Sequence, residues 1–241
     1  MCVLMASPVG ASQVGRLCGG MVVTIDMSTG ADGVGTPGPK VILGTAGADV
    51  IKGGGGDDVI CGLGGADIIT GGSGDDVILA GNGQDWASGG NGNDTIRGQN
   101  GNDVLLGGPG ADNLKGNLGA DWLYGGSGSD YLSGRAGFDN LFGGLGNDVM
   151  LDGTGRDRLK GESGNDTLFG NSGGDLLSGG FGDDTMFGGN GNDRFERSHG
   201  SDWCHGGRDR PTGPTSSKWA SAESTLLPGL SENSRSSVLS T

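Results

Sequence analysis

The sequence is poor in the residues from which a globular core is usually built. Apolar residues make up 32% of the 241 and aromatic residues 5%, with 4 Trp, 2 Tyr and 6 Phe. A chain of this length could hold one or two ordinary domains, but this composition provides a conventional core for neither. No run of about 18 apolar residues is present, so we expect no membrane-spanning segment.

Residues that ligate zinc are equally scarce. The 4 cysteines are Cys2, Cys18, Cys61 and Cys204. They neither cluster nor show metal-ligand spacing, which argues against a zinc site. Cys18 and Cys61 could form a disulfide that ties the lead-in segment to the second repeat, or they could remain unpaired small apolar residues. The 2 histidines lie outside any H-E-x-x-H helix, and we expect His199 and His205 to be solvated end residues.

Positive charge is also in short supply. The chain has 15 Lys and Arg against 29 Asp and Glu, a net charge of -14. The excess lies in residues 44–205, which carry 24 acidic and 9 basic residues, a net charge of -15. Such a segment repels nucleic acid and anionic membranes and attracts divalent cations. We therefore expect no nucleic-acid partner.

Glycine, in contrast, is abundant, and most of the 58 glycines fall in a nine-residue repeat over residues 44–205. Eighteen copies of G-G-x-G-x-D-x-U-x follow one another without insertion or deletion, where U is a larger apolar residue. The sixth place, the Asp column, holds Asp49, Asp58, Asp67, Asp76, Asp85, Asp94, Asp103, Asp112, Asp121, Asp130, Asp139, Asp148, Asp157, Asp166, Asp175, Asp184, Asp193 and Asp202.

The repeat predicts an all-β solenoid. In each copy the first six residues have turn chemistry, with glycines at places one, two and four expected to take positive φ, and the last three form a short strand. The eighth place is apolar from Ile51 to Cys204 and should face inward. Place two is Gly in seven of nine even-numbered copies but three of nine odd-numbered ones. We therefore predict a right-handed parallel β-roll with two nonapeptides per coil and about nine coils.

The segments on either side of the repeats differ in composition. Residues 1–43 are predicted to be a lead-in and cap, in which residues 22–25 form one strand that covers the first coil. Residues 206–241 are predicted to be a flexible tail rich in Ser, Thr and Pro. Residues 1–11 lack the basic region and continuous apolar region of a signal peptide, so either the true start lies elsewhere or export uses another route.

The Asp column itself indicates calcium. One thin layer of inward side chains buries little, and carboxylates stacked 18 residues apart repel unless a cation lies between them. Carboxylate and carbonyl oxygens are hard ligands that suit several Ca²⁺ ions better than Zn²⁺ or Cu²⁺. Two rows of nine stacked turns leave roughly 16 intervals between successive turns, and each interval could hold one ion. Filling all of them would change the charge of the block from -15 to about +17, so we expect partial occupancy.

The block resembles the hemolysin-type calcium-binding repeats, or RTX repeats, of exported bacterial proteins. In that family the turn binds calcium through the Asp carboxylate and turn carbonyls, neighbouring coils share each ion, and the module folds when it meets calcium outside the cell. The resemblance implies that the eighteen residues of the Asp column are the ligands. The segment from Cys18 into the first repeat also resembles the opening of secreted proteins built almost wholly of such repeats.

Some copies depart from the pattern. The first glycine of a copy is replaced by Asp152, by Arg197 and, as a smaller change, by Ala80. Arg135 and Glu162 stand at the second place of their copies. Sites beside Arg135 and Asp152, and those in the final copy over residues 197–205, are expected to be the least regular.

Apolar residues also recur at place nine, which should face outward. They form two sets at 18-residue spacing, here named the apolar ladders: Leu106, Tyr124 and Phe142, and on the opposite sheet Leu151, Phe169 and Phe187. Each set could simply stack on itself. Alternatively, the ladders could be surfaces for self-association or for a protein partner.

These features predict a secreted, extracellular, non-enzymatic calcium-binding protein whose β-roll folds on binding Ca²⁺ and acts as a structural or interaction module. The alternative is the C-terminal export and folding module of a larger secreted enzyme or toxin. Residues 170–174 fit G-x-S-x-G but lack the strand-turn-helix context of a nucleophile. An ice-binding face would need regular rows of Thr, which place seven lacks.

Overall fold

The computed structural model describes residues 17–22, 25–26, 33–34, 37–196 and 198–207, and the regular secondary structure in them is entirely β. The strands form two long sheets and one hairpin. Within the described residues, no helix has the length and apolar character needed to cross a membrane. The predicted all-β parallel β-roll of about nine turns is confirmed.

The strands alternate between the two long sheets along the chain. The ten-stranded sheet contains β4 (Gly33–Val34), β6 (Val50–Gly55), β8 (Ile68–Ser73), β10 (Trp86–Asn91), β12 (Val104–Pro109), β14 (Trp122–Ser127), β16 (Asn140–Leu145), β18 (Arg158–Ser163), β21 (Leu176–Phe181) and β23 (Arg194–Phe195). The twelve-stranded sheet contains β3 (Ile25–Asp26), β5 (Val41–Leu43), β7 (Val59–Gly64), β9 (Val77–Asn82), β11 (Thr95–Asn100), β13 (Asn113–Leu118), β15 (Tyr131–Ala136), β17 (Val149–Gly155), β19 (Thr167–Phe169), β20 (Ser172–Gly173), β22 (Thr185–Phe187) and β24 (Trp203–His205). The hairpin pairs β1 (Leu17–Cys18) with β2 (Met21–Val22) in antiparallel fashion.

The register of the long sheets follows the predicted period. In the ten-stranded sheet, Leu105 of β12 aligns with Ala87 of β10 on one side and Leu123 of β14 on the other. Partners in adjacent strands are thus 18 residues apart, and two nonapeptides make one coil. Like residues therefore stack on like residues along the whole roll.

The strands are longer than the three residues that the sequence predicted. β12 starts at the seventh place of one copy and continues to the third place of the next. The prediction was wrong because the glycine-rich backbone also pairs between coils, as Gly108 does with Gly126. Backbone hydrogen bonds do not require large side chains, so glycine-rich residues that are typical of turns can form half of each strand.

The eighth-place side chains form a core that is one layer thick. From Ile51 to Met186 every member of this column has 0% exposure, Phe195 has 5%, and Cys204 at the end is partly buried. Burying each such side chain stabilises the roll by about 1.5–3 kcal/mol. The predicted inward column is confirmed.

The apolar ladders stack on the outer faces as their spacing predicted. The rings of Tyr124 and Phe142 are parallel with centroids 4.9 Å apart, and those of Phe169 and Phe187 are also 4.9 Å apart. Such pairs are worth about 0.5–1.5 kcal/mol beyond their buried area. The two ladders lie on different sheets. Their use for self-association or for a protein partner remains a prediction.

Strands before the repeats close the first coil. β3 pairs with β5, and β4 pairs with β6, in parallel. The predicted strand over residues 22–25 lies partly outside the described residues, because 23 and 24 are not among them. Val22 belongs to the hairpin and Ile25 to β3. Beside this end, the ammonium group of Lys40 lies 3.1 Å from Oδ1 of Asp58.

A disulfide fixes the hairpin to the roll. Cys18 and Cys61 are bonded, with their Cα atoms 5.8 Å apart. Both are buried on the outer face of the twelve-stranded sheet, where Leu43 packs with them. The disulfide hypothesis is confirmed, and the unpaired alternative is wrong.

Removing this disulfide should loosen the first coils. A bridge that closes a loop with a sequence separation of 43 contributes about 2–4 kcal/mol. In Cys18→Ser, amide hydrogen exchange in β7 and β9 should therefore be faster by orders of magnitude. Cys204→Ser is the matched control, because Cys204 is a free thiol. Equal protection of β7 and β9 in the two variants would show that the disulfide does not hold this end.

Candidate metal centre

The Asp column lies at the two edges of the roll, where the chain turns from one sheet into the other. Each Asp directly precedes a strand, as Asp103 precedes β12 and Asp112 precedes β13. Because the copies alternate between sheets, the column forms two rows. Seventeen of its members are buried, with exposures of 0–7%, and Asp49 at the start is partly exposed.

One oxygen of each buried carboxylate is held by the backbone. Oδ1 of Asp121 accepts a hydrogen bond from the N–H of Asp103 at 2.8 Å, and Oδ1 of Asp139 accepts one from the N–H of Asp121 at 2.9 Å. The same bond recurs along both rows at 2.7–3.2 Å. The sequence pattern did not reveal this bond. It orients every carboxylate in the same way.

The other oxygen, Oδ2, lacks such a bond in most of the column. Among the described residues, buried Oδ2 atoms without a hydrogen-bond partner belong to Asp58, Asp67, Asp76, Asp85, Asp94, Asp103, Asp112, Asp121, Asp130, Asp139, Asp148, Asp157, Asp166, Asp175 and Asp184. Leaving a buried acceptor unsatisfied costs about 1–3 kcal/mol, and more if it is charged. A cation or a proton at Oδ2 would remove this cost.

In the copies that have glycine at place one, Oδ2 lies next to that glycine. A Cβ on Gly107 would stand 2.3 Å from Oδ2 of Asp112 and 2.5 Å from the carbonyl oxygen of Gly125 in the next coil. Place one therefore needs glycine for space. The prediction of positive φ there was wrong, whereas places two and four do have positive φ, as in Gly108 (117°) and Gly110 (148°).

Carboxylate and carbonyl oxygens of adjacent coils thus meet beside place one. Such oxygens are the ligands that Ca²⁺ takes, in flexible geometry and in sets of about 6–8. A divalent ion would also neutralise the two carboxylates that successive coils bring together. The buried oxygens at these edges therefore fit calcium.

Burial also raises the pKa of the column carboxyl groups from Asp67 to Asp184. For Asp121 the pKa is raised to about 7, mainly by desolvation and also by the charges of Asp139 and Asp103. The hydrogen bond from the N–H of Asp103 acts in the opposite direction and lowers it. The pKa is also about 7 for Asp76, Asp112, Asp166 and Asp175, and about 6 for Asp67, Asp103, Asp139 and Asp148. A cation that bound at these carboxyl groups would have to displace their protons.

The irregular copies differ in how far they change the surroundings of the column carboxylates. Arg135 has φ 80° and an exposed side chain, and Asp139 beside it keeps the regular hydrogen bond. Arg197 lies outside the described residues. Asp152 is the exception, since carboxylate oxygens of Asp152, Asp157 and Asp175 all lie within 4.8 Å of one another. Desolvation and then the charges of Asp175 and Asp157 raise the pKa of Asp152 to about 9.

Residues outside the column form no alternative site among those described. Ser172 of the G-x-S-x-G match lies in β20 and pairs with Thr154 of β17 instead of preceding a helix. His199 is exposed and stacks on Phe181, with ring centroids 4.8 Å apart. His205 is partly buried beside Trp203.

Comparison with known families agrees with this geometry. A family model described as RTX calcium-binding nonapeptide repeat (4 copies) matches residues 35–69, 62–87, 70–105, 80–114, 106–141, 142–177, 161–195, 169–203 and 178–212. These overlapping matches together span residues 35–212. No curated protein matches the chain.

Proposed function

The chain belongs to the RTX calcium-binding nonapeptide repeat family, and we propose that it is a secreted protein whose β-roll folds on binding several Ca²⁺ ions. Its roll is a calcium-binding structural module and not a catalytic fold. Once folded, the roll would serve as a rigid structural or interaction element. The ligands in this proposal are the eighteen residues of the Asp column, with neighbouring coils sharing each ion.

The observation that carries this proposal is the pair of rows of buried Oδ2 atoms. Among the described residues, fifteen of these carboxylates are aligned by an Oδ1 bond and have an Oδ2 atom without a hydrogen-bond partner, which lies beside a carbonyl oxygen of the next coil as in Asp112. Repulsion along each row opposes folding when the groups are ionised. Calcium would convert that repulsion into a bridge between coils.

The disulfide supports the extracellular part of the proposal. Disulfides persist in oxidising compartments and are rare in the cytosol. The bond between Cys18 and Cys61 ties the hairpin to the second repeat. Free calcium at the concentrations suited to extracellular modules is met in the same surroundings.

Two neighbouring aspartates allow a matched test of the ligand assignment. Asp76 belongs to the column and is 1% exposed with an unpartnered Oδ2, whereas Asp75 in the same turn is exposed. Asp76→Asn and Asp75→Asn make the same change in charge. Asp76→Asn should raise the calcium concentration at the folding midpoint at least about tenfold, because its carboxylate serves the intervals on both sides.

The measurement is a calcium titration followed by circular dichroism, with bound ions counted by equilibrium dialysis. Asp75→Asn should shift the midpoint less than about twofold, since an exposed charge contributes little. If the two variants gave the same midpoint and ion count, the Asp column would not be the ligand set.

A further inference from the structure

Asp152 occupies a position that glycine fills in fifteen of the eighteen copies. In a regular copy this place borders the column carboxylate, as Gly107 borders Oδ2 of Asp112. A side chain at place one therefore points towards the row of carboxylates. Asp152, at place one of its copy, adds a carboxylate to this row instead of the uncharged backbone of glycine.

The added carboxylate joins two members of the column. One carboxylate oxygen from each of Asp152, Asp157 and Asp175 lies within 4.8 Å of the others. Their exposures are 0%, 3% and 1%, so water does not screen the group. Asp157 and Asp175 belong to successive coils, so the cluster bridges an interval between coils.

Each of the three carboxylates has one oxygen engaged and one free to bind an ion. Oδ1 of Asp157 and of Asp175 accepts a backbone N–H bond, at 2.7 Å and 3.0 Å, and Oδ1 of Asp152 accepts one from the N–H of Gly153. All three Oδ2 atoms are buried and have no hydrogen-bond partner among the described residues. The cluster is therefore dry and rich in unpartnered acceptor oxygens, with the side chain of Asn171 as a further hydrogen-bond partner of Asp152.

The local charge matches one divalent cation. Arg156, in the same turn, is the cation that acts on Asp175. Calcium would displace any proton held by the cluster, and with all three carboxylates ionised, one positive charge against three negative ones leaves a net charge of -2, which one Ca²⁺ would balance. The donors are hard oxygens, which favour calcium over zinc or copper.

We propose that Asp152, Asp157 and Asp175 form a three-carboxylate calcium site that is distinct from the regular intervals and fills first when calcium is added. A regular interval offers two column carboxylates, and calcium affinity rises with the number of charged ligands. The proposal rests on the proposed function, because it assumes that the column binds calcium. It makes Asp152 a ligand and not a defect in the repeat.

The test compares Asp152→Gly with the unaltered protein. This substitution restores the residue of the regular copies and should leave the fold intact, which circular dichroism at saturating calcium verifies. Bound calcium is counted by equilibrium dialysis at buffered free concentrations. The unaltered protein should retain one ion at a free concentration about tenfold below that which fills the rest. Asp152→Gly should lose that early step alone, and the regular interval left between Asp157 and Asp175 should fill together with the others.

Two further variants define the origin of the effect. Asp152→Asn keeps the size of the side chain but removes its charge, and it should also lose the early ion. Asp183→Asn removes one exposed charge near the same end of the roll and should retain it.

The outcomes separate this proposal from the one on which it rests. If Asp152→Gly and the unaltered protein had the same isotherm with several ions bound, the special site would be disproved and the proposed function would stand. If the unaltered protein bound no calcium at any concentration tested, both would be disproved.

Discussion

Removing calcium at neutral pH is expected to abolish most of the far-UV β signal and leave a largely unfolded chain. Adding calcium back should restore the signal at about 10⁻⁴ to 10⁻³ M, the range of extracellular calcium modules. The measurement is circular dichroism during a calcium titration of demetallated protein. Thermal melts at each concentration would follow the same transition, because a ligand that binds only the folded state raises Tm with its concentration.

The expected effect is large because apolar burial is small. The core is a single layer from Ile51 to Cys204, and within the described residues the outer faces add only the apolar ladders and the cluster around the disulfide. The backbone it must order is rich in glycine, which loses the most conformational freedom on folding. Fifteen buried, unpartnered Oδ2 atoms add a penalty when they are ionised. Without a cation, these terms oppose the fold together.

Magnesium at the same concentration is the control for ionic strength and charge. Mg²⁺ carries the same charge as Ca²⁺ but demands a small octahedral shell and gives up its waters reluctantly. It should therefore restore little of the signal. If chelation left the β signal and Tm unchanged, side-chain packing and backbone hydrogen bonds alone would hold the roll, and the proposed function would be wrong.

The sequence predicted the architecture because its period sets the register directly. Every eighth place is apolar, the repeat length never changes and place two alternates with a period of 18, so Leu105 is expected to stack between Ala87 and Leu123, as it does. The same argument placed the two rows of aspartates and the apolar ladders. The spacing of Cys18 and Cys61 left two alternatives, because pairing of cysteines depends on where the lead-in segment folds back.

The details of the site could not be predicted from the period. Glycine at place one and at place two looks alike in sequence, yet Gly107 is required for space and Gly108 for positive φ. The pattern also cannot show that Oδ1 of Asp112 is already bonded while Oδ2 is free. Asp152 interrupts the pattern, and the sequence therefore indicated only that the sites beside it would be among the least regular, whereas its side chain joins two column carboxylates.

Acid should partly substitute for calcium, so the pH dependence of stability should reverse when the ion is added. In the metal-free roll, burial raises the pKa of column residues such as Asp76 and Asp121 to about 7 from 3.8. The folded state then binds protons that the unfolded chain releases between about pH 4 and pH 7. Stability of the metal-free protein therefore falls as pH rises through this window. With calcium bound, protons compete for the ligands, and stability rises with pH.

The size of this reversal follows from the number of shifted groups. One unit of pKa corresponds to about 1.4 kcal/mol for each carboxyl group. In a domain of this size, 1 kcal/mol changes Tm by about 2–4 °C. With several column residues shifted, the metal-free protein, largely unfolded at pH 7.5, should regain β signal at pH 5, with a Tm more than about 10 °C above that of any residual transition at pH 7.5. Millimolar calcium should make the pH 7.5 sample the more stable one.

The measurement uses protein stripped of metal on a chelating resin, because soluble chelators lose affinity in acid. A pH of 5 keeps the sample above its pI of about 4.3, where aggregation could imitate a β signal. Asp121→Asn should reduce the number of protons that the metal-free protein takes up on folding by up to one. Asp75→Asn should change that number much less, because Asp75 is exposed and its charge is only a minor cause of the raised pKa of Asp94 and Asp112. A metal-free β signal that failed to increase between pH 7.5 and pH 5 would show that ionised, buried carboxylates are not what unfolds the roll. Calcium would then stabilise it through some contact other than the Asp column.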